Sequence, residues 1–233
     1  DWRIFHMVFN SIFFIFCFLP VFMLIYYLVP GKLRNLLLFL GSLVFYAWGE
    51  PVYVILMLFS SVFNYYMGTE LERLYYDDRK QKINLIFSIV VNLFILVFFK
   101  YYGFLLNTIG GITGIHIPHP ELSLPIGLSF YTFRNLSYLF DIYLSKINAQ
   151  RNFLTFAVYS TMFPYTSAGP IIRYADIEEQ LTHRSLNVSR FGLGAELFVK
   201  GLAKKVLLAD NLSALYAGIC GHSQMSVFTA WIG

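Results

Sequence analysis

Two interruptions of an otherwise apolar chain supply the residues that could support chemistry. The first is the run from Phe163 to Arg173, FPYTSAGPIIR, in which two prolines, a glycine and two hydroxyl side chains break an apolar stretch. Lipid cannot satisfy the backbone groups that such a break frees, and each unsatisfied group costs several kcal/mol. The broken segment must therefore be buried in protein or line a wet cavity, where a transporter or a membrane enzyme binds its substrate.

The second interruption lies in residues 124–143, LPIGLSFYTFRNLSYLFDIY, which are long enough to cross a membrane but include Arg134 and Asp141. A charge at the centre of a membrane costs roughly 2.5–3.5 kcal/mol. The two residues are seven positions apart, so they share one helix face. Two interpretations stay open. Either this face lines a polar path, or Asp141 lies at the membrane interface while Arg134 snorkels or pairs structurally.

No catalytic or metal-binding set can be assembled from the other residues. Of the five histidines, His116 and His119 are nearest in sequence, but Pro118 prevents them from sharing a helical face. A zinc site needs three or four ligands, so we expect no metal site. His183 and His222 are interpreted as surface residues. The sequence has no nucleophile-elbow, phosphate-loop or dinucleotide motif.

Composition predicts an all-α, polytopic helical membrane protein. Of the 233 residues, 58% are hydrophobic and 13% are charged, whereas soluble domains carry about 25% charged residues. The basic residues fall in short loops, where they set membrane topology. The net charge of +4 is therefore not interpreted as affinity for nucleic acid, and the expected partner is membrane lipid. We expect one membrane domain over 1–233, with 1–7 as a non-native or disordered start. Apolar runs occupy 8–29, 35–48, 52–68, 83–99 and 124–143, separated by loops that include 69–82 and 103–123.

The distribution of lysine and arginine predicts the orientation. Basic residues occur in the loops at 32–34 and 73–82, and none occurs between Tyr101 and Phe133. Because short cytoplasmic loops collect these residues, both basic loops are predicted to be cytoplasmic and the loop with His119 external. A complete crossing by 153–172 would place the later arginines outside. A re-entrant segment keeps them cytoplasmic and places 164–170 deep inside protein, with a kinked ordinary span as the alternative.

Two helices are predicted after the broken run. Residues 175–186 are polar and indicate a short surface helix. In 191–212, Glu196, Lys200 and Lys204 recur every four residues and form a charged stripe on one face. Such a helix is typical of a membrane surface or a contact with partner helices. It could also hold an anionic cofactor.

Four stretches together resemble the membrane-bound O-acyltransferases, most of all the bacterial alginate O-acetyltransferase branch. They are LPIGLSFYTF at 124–133 with its continuation to Tyr143, YAW at 46–48 with Pro51, the pieces RNF, FP, AGPI and RY between 151 and 174, and GLAKKVLLADNL at 201–212. They occur in the family's order and cover nearly the whole chain. The sequence departs from the branch at Arg134, where Gln is usual, and at Tyr165, where Gln or another polar residue is common.

The resemblance implies an all-α, truncated acyltransferase core without its catalyst. The family's catalytic histidine lies in a Trp-His motif, whereas Trp231 is here followed by Ile232 and Gly233. The histidine is therefore expected downstream of Gly233. This chain would be the N-terminal half, inactive alone and without a bound cofactor. Candidates for lining the substrate path, none of them catalytic, are Ser129, Tyr131, Thr132, Arg134, Tyr138, Asp141, Gly169, Pro170 and Arg173.

The resemblance also implies a reaction and its participants. An acyl donor, acetyl-CoA or a carrier-linked acyl group, would enter from the cytoplasm of a multi-pass protein in the bacterial inner membrane. A hydroxyl of an exported polysaccharide such as alginate would be the acceptor, with periplasmic or extracellular acetylation proteins as partners. The related teichoic-acid D-alanylation branch keeps a second donor open. The alternatives from other classes are a transporter or channel subunit and a non-catalytic membrane scaffold.

Overall fold

The computed structural model describes residues 11–113, 124–166, 170–184 and 187–220, and within these ranges the chain is helical with no strand. The all-α prediction is therefore confirmed. The predicted start at 1–7, the loop with His116 and His119, Gly169, His222 and Trp231 lie outside the described residues. The helices are α1 (Leu19–Leu28), α2 (Arg34–Gly49), α3 (Val54–Arg73), α4 (Asp78–Thr113), α5 (Leu128–Tyr143), α6 (Phe153–Thr161), α7 (Tyr174–Thr182), α8 (Val188–Lys204) and α9 (Asp210–Cys220).

A π-helical turn, Phe14–Phe18, leads into α1, whose second residue is Pro20. Proline lacks the N–H that a regular helix requires at that point, and a π turn is a common way to absorb such a defect. Further along, α1 packs closely on α2 at Gly41, where an added Cβ would lie 2.3 Å from the ring of Phe22. The glycine thus sets the spacing of the two helices.

The predicted charged loop at 69–82 is wrong in its extent. Helix α3 continues to Arg73 and α4 already begins at Asp78, so only residues 74–77 connect them. Asp77 stabilises the start of α4 because its carboxylate accepts the N–H of Lys80 at 3.1 Å. Composition alone did not separate a loop from charged helix ends that extend past an apolar run.

Helix α4 is also longer than its apolar run predicts, because it continues past Phe99 to Thr113. Its 36 residues contain the only window in the described ranges that is both long and apolar enough to cross a membrane. The shorter apolar stretch Phe14–Leu28 comes next in length and composition.

Helices α2 to α6 form the packed centre of the first of two compact units, Asp1–Arg184. Helix α5 lies against α3 and α4, while α6 lies against α2 and α3. The core between them is aromatic: Tyr138 packs on Phe156, Tyr159 and Tyr174, with ring centroids 4.7, 6.2 and 5.3 Å apart. Gly68 of α3 allows this packing, since an added Cβ would lie 2.7 Å from the Tyr138 ring.

A set of small polar side chains, here called the polar seam, joins α3 to its neighbours. Its members are Ser60, Ser61, Asn64, Asn92, Asn135 and Ser160. The amides of Asn64 and Asn92 donate to each other at 3.1 and 2.9 Å. Asn135 donates to Ser60 at 3.1 Å, and Ser61 donates to Ser160 at 3.0 Å. Hydrogen bonds between apolar helices of this kind contribute to their association.

The second unit, Ser185–Gly233, contains α8, a π turn at Lys205–Ala209, and α9. Asn187 caps α8 by accepting the N–H of Ser189 at 2.9 Å. Glu196 pairs with Lys200 on the predicted charged stripe, which supports the i,i+4 reading of that face. The expectation that residues 1–233 form one membrane domain stays a prediction.

Candidate functional site

The segment between α6 and α7, residues 162–173, is here called the break, and its cause is Pro164. A continuing helix would need an N–H at position 164 for the carbonyl of Ser160, and proline cannot supply it. Helix α6 therefore ends at Thr161, and a short 3-10 turn, Phe163–Tyr165, follows. The predicted interruption of this run is confirmed.

Arg134 of α5 binds the carbonyls that the break leaves free. Its Nη1 donates to the carbonyl of Tyr159 at 2.9 Å, and its Nη2 donates to that of Tyr165 at 2.6 Å. In a regular helix the Tyr159 carbonyl would accept the N–H of Phe163. That N–H donates instead to Ser42 Oγ of α2 at 3.1 Å. Two neighbouring helices thus replace the hydrogen bonds that α6 loses.

Thr166 and Gly127 close the break against the start of α5. The hydroxyl of Thr166 lies 3.1 and 2.9 Å from the carbonyls of Thr161 and Met162, so it can donate to either. Gly127, with φ of 75°, precedes α5, and an added Cβ there would lie 2.0 Å from the Thr166 carbonyl. Only glycine fits this contact without strain or displacement. The LPIGLSFYTF stretch, which carries part of the family resemblance, therefore touches the break.

Tyr159 connects the same two elements from the other side. Its hydroxyl lies 3.1 Å from the carbonyl of Arg134 and 3.2 Å from that of Ile172, at the end of the break. The side chain is fully buried. Arg134 and Tyr159 therefore each bond the other's carbonyl, which fixes α5 against α6 in one register.

Arg134 pairs structurally with the main chain, and whether its helix face also lines a polar path stays a prediction. Its side chain is 1% exposed, so it does not snorkel to a surface, and its guanidinium pairs with backbone carbonyls. The guanidinium also lies over the ring of Tyr165, 6.0 Å from the ring centroid. Arg134 and Tyr165 are the two departures from the branch pattern, and they contact each other. Cation–π contacts favour this pairing.

Asp141 lies near the other end of α5, two turns away, as the spacing predicts. It is 5% exposed and its Oδ1 lies 3.8 Å from the ammonium of Lys146. Its Oδ2 has no hydrogen-bond partner among the described residues. Asp141 thus lies near the end of the helix, beside an exposed lysine, and whether it lies at a membrane interface or lines a polar path stays a prediction.

The remaining path candidates are distributed unevenly around the break. Tyr138 is fully buried, and its hydroxyl accepts the N–H of Gln150 at 2.8 Å, so it packs in the aromatic core. Thr132 is buried and Ser129 is half-buried on the same helix. Arg173 is exposed and precedes α7 as its N-cap residue. Whether these side chains line a substrate path stays a prediction.

The prediction that 164–170 is wholly buried is wrong at its two prolines. Thr166 is buried, but Pro164 and Pro170 are exposed. Exposure of a proline leaves no unpaired donor, because its ring carries no N–H. The groups that need partners are the neighbouring carbonyls, and those are the groups that Arg134 and Thr166 bind.

Sequence reasoning missed Ser42, Gly127, Tyr159 and Tyr46 as residues of this region. Tyr46 lies beside Tyr131 in a buried apolar cluster, and both hydroxyls are buried there. Tyr46 belongs to the YAW stretch and Gly127 to the LPIGLSFYTF stretch, and the family resemblance of these stretches was their only signal. The pairing of Ser42 with a peptide N–H 121 residues away had no signal in a single sequence.

Comparison with known proteins finds relatives over nearly all of the chain. It is 38% identical over 231 residues to a protein of Pseudomonas aeruginosa named probable alginate O-acetylase AlgI, which aligns with 97% of this chain and 44% of that protein. The Azotobacter vinelandii protein of the same name is 36% identical, and the match covers 97% of this chain and 46% of that protein. A Helicobacter pylori peptidoglycan O-acetyltransferase is 31% identical, with 99% and 50% covered.

The chain spans about half the length of the curated relatives that it matches. No family model and no solved structure matches it. The similarity extends over α1 to α9 and includes the LPIGLSFYTF stretch and the break. The resemblance inferred from the sequence is thus confirmed: over nearly its whole length the chain is similar to proteins named alginate O-acetylase and peptidoglycan O-acetyltransferase.

Proposed function

We propose that this chain is part of a membrane O-acyltransferase that transfers an acetyl group to hydroxyls of an exported polysaccharide. One observation carries the proposal: the break is held between α2 and α5 by buried hydrogen bonds from Ser42 and Arg134. A non-helical segment at membrane depth must be supported in this way before it can form a reaction site. The names of the relatives supply the reaction type and the acceptor class.

The setting of this reaction is the bacterial inner membrane, which the protein crosses several times. Helix α4 supports a crossing through its length and composition. The apolar stretch Phe14–Leu28 supports a second crossing, although it is shorter. The donor, acetyl-CoA or a carrier-linked acetyl group, approaches from the cytoplasm, and the polysaccharide approaches from the outside.

The residues of this chain position the reaction and do not perform its proton transfer. A hydroxyl of the acceptor forms the new ester bond as the thioester of the donor breaks, and its proton passes through a general base to the leaving thiolate. The base is a histidine that this chain does not supply. Arg134 acts as a positioning residue, because its two hydrogen bonds fix the carbonyls of Tyr159 and Tyr165 beside the reaction path.

The transporter, channel and scaffold alternatives receive no support from the relatives, all of which are named for acetyl transfer. A transporter would use a broken helix to present free half-helix ends to its substrate. The carbonyls of this break are instead bonded to Arg134 and Thr166. A backbone fixed in this way favours an enzyme site over a transport site.

The test uses a full-length protein that carries this sequence, expressed in a host that lacks its own polysaccharide O-acetylase. We expect O-acetyl ester on the exported polysaccharide, measured by mild alkaline release of acetate. The 233-residue chain expressed alone is expected to give none. Ester at the full-length level from the chain alone would contradict the absence of the base, and no ester from the full-length protein would contradict the function.

Variants connect this activity to the break. Arg134→Ala is expected to lower the ester content strongly, because two carbonyls beside the path lose their donor. Arg79→Ala is the matched control. Arg79 is exposed at the start of α4, and this substitution removes the same charge as Arg134→Ala does. Equal ester from Arg134→Ala and from Arg79→Ala at equal protein levels would remove Arg134 from the mechanism.

A further inference from the structure

Two arginines that are far apart in sequence meet at one tyrosine. The guanidinium of Arg34, the first residue of α2, lies over the ring of Tyr26 at 5.7 Å from its centroid. Arg184, just after α7, donates from Nη1 to the Tyr26 hydroxyl at 3.4 Å. Both arginines are half-buried. Two like charges are thus held against a single aromatic side chain.

No acidic group balances these charges within the described part of the chain. Neither guanidinium has a carboxylate within 4 Å, although six other basic residues do. The Nε of Arg34 is buried and has no hydrogen-bond partner among the residues that the structure describes. Since half-buried like charges repel each other and an unpaired buried donor costs free energy, the arrangement favours an external anion.

The position of Arg34 adds to this deficit of negative charge. It begins α2, whose first turn has no acidic residue and whose N-cap, Leu33, provides no side-chain cap. A helix N-terminus carries a partial positive charge and disfavours a cation. Lys32 lies two residues earlier in the same connection. Arg34, Lys32 and the partial positive charge of the α2 N-terminus therefore lie close together. Helix stability alone would favour an acidic residue at this position.

The two guanidiniums are preorganised in a way that flexible surface arginines are not. Arg184 is fixed by a second hydrogen bond, from Nε to the carbonyl of Gln180 at 2.6 Å, and its Nη2 makes no hydrogen bond to the described residues. Asn35 ties the start of α2 to the end of α7, because its amide donates to the Leu181 carbonyl at 3.3 Å. Rigid placement of donors lowers the entropic cost of binding an anion.

We propose that Arg34 and Arg184, placed by Tyr26, form a binding site for a phosphate group. Paired guanidiniums suit phosphate because their planar donors match its oxygens. The same chemistry is offered by an anionic lipid headgroup at the predicted cytoplasmic surface and by a soluble phosphate ester. The site lies at the ends of α1, α2 and α7 and is independent of acyl transfer.

Binding is tested on a purified full-length protein that carries this sequence, in an uncharged detergent. One arm titrates inorganic phosphate against chloride at matched ionic strength by calorimetry. The other arm counts bound phosphatidylglycerol and phosphatidylcholine by native mass spectrometry. We expect Arg34→Gln with Arg184→Gln to weaken phosphate or phosphatidylglycerol binding by at least about tenfold, the loss that corresponds to one charge-assisted hydrogen bond.

Controls separate a site from general charge. Arg79→Gln removes an exposed charge from the same predicted side of the protein and is expected to bind as the wild type does. Arg34→Lys with Arg184→Lys keeps the charge and is expected to bind more weakly than wild type, which keeps the test valid if the glutamine variant does not fold. Binding of phosphatidylglycerol alone assigns a lipid site, and binding of inorganic phosphate assigns a site for a soluble ester. Equal binding by wild type and both double variants, or no binding in either arm, would overturn the proposal.

Discussion

The break and the polar seam both bury polar groups between apolar helices, but they use them differently. In the seam, neutral side chains bond to each other across unbroken helices, as Asn64 and Asn92 do. At the break, side chains bond to peptide groups that an interrupted helix has released, and one of them is a charged guanidinium. The seam joins helices to each other. The break, in contrast, needs side chains of neighbouring helices to satisfy the hydrogen bonds of its own backbone.

This difference separates two kinds of buried polar residue that look alike in a sequence. Both members of a seam pair can be replaced together, because the carbonyls of Ser60 and Ser88 that they also contact lie within unbroken helices and keep their backbone hydrogen bonds. A residue that serves released carbonyls has no replaceable partner, because its partner is the main chain. The predictions below test this distinction, from the largest expected effect to the smallest.

Removal of Arg134 is expected to have the largest effect. Arg134→Ala loses two hydrogen bonds to a charged donor, worth about 1.5–3 kcal/mol each, and should destabilise the protein by roughly 3–6 kcal/mol. Unfolding in detergent, followed by circular dichroism, measures the change. Arg134→Gln, which restores the residue usual in the branch and keeps one amide donor, is expected to lose about half as much. A change below that of Arg79→Ala would make the break no different from a surface loop.

Gly127→Ala tests the contact between α5 and the break without removing any hydrogen bond. The left-handed backbone costs a non-glycine residue about 1–2 kcal/mol, and the new methyl group would meet the carbonyl of Thr166. We expect a lower unfolding midpoint and a shift of the break. Gly111→Ala in α4 is the control, since an added Cβ there meets nothing within 4 Å. It should be neutral or slightly stabilising.

The seam is tested by a double-mutant cycle on Asn64 and Asn92. Asn64→Leu alone leaves the buried amide of Asn92 without its partner and should cost about 1–3 kcal/mol. Adding Asn92→Leu should recover most of this loss, because two apolar side chains then face each other. The unfolding free energies of the four proteins give the coupling. A double variant as unstable as the sum of the single variants would place the seam in the same class as the break.

Asp77 provides the smallest effect and a dependence on pH. Hydrogen bonds from the side chain and the backbone N–H of Lys80 hold the pKa of its carboxyl below the ordinary value. Its contribution is therefore complete above the unfolded pKa and is lost as the pH falls through the lower, folded pKa. The difference in unfolding midpoint between the wild type and Asp77→Asn should be small at neutral pH and should vanish in acid. A difference that grows on acidification would contradict the cap.

The sequence predicted the existence of the break and the presence of a supporting partner, because both follow from local chemistry. Two prolines and a glycine in an apolar run end a helix wherever they occur. The identity of the partner could not be predicted, since Ser42 and Arg134 reach the break from distant parts of the chain. Arg134 was visible as a buried charge, whereas Ser42 was one hydroxyl among many.

Helix ends were predicted less well than helix interiors. The apolar runs located α2 to α5, but charged residues at 69–82 were read as a loop although α3 and α4 extend into them. Charged residues are good helix formers, so a hydropathy pattern marks the apolar part of a helix and not its full length. The burial of Tyr138 in an aromatic core likewise follows from packing, which spacing alone does not specify.

The length of α4 limits how the protein can sit in a bilayer. Its 36 residues rise about 54 Å, whereas a hydrocarbon core is about 30 Å thick. Containing the whole helix would require an inclination of roughly 56°, beyond the range of about 0–40° seen for spanning helices. If α4 crosses the membrane, part of the helix must therefore extend beyond the hydrocarbon core into water. The residues at that end of α4 are then held by the helix at a fixed distance from the lipid.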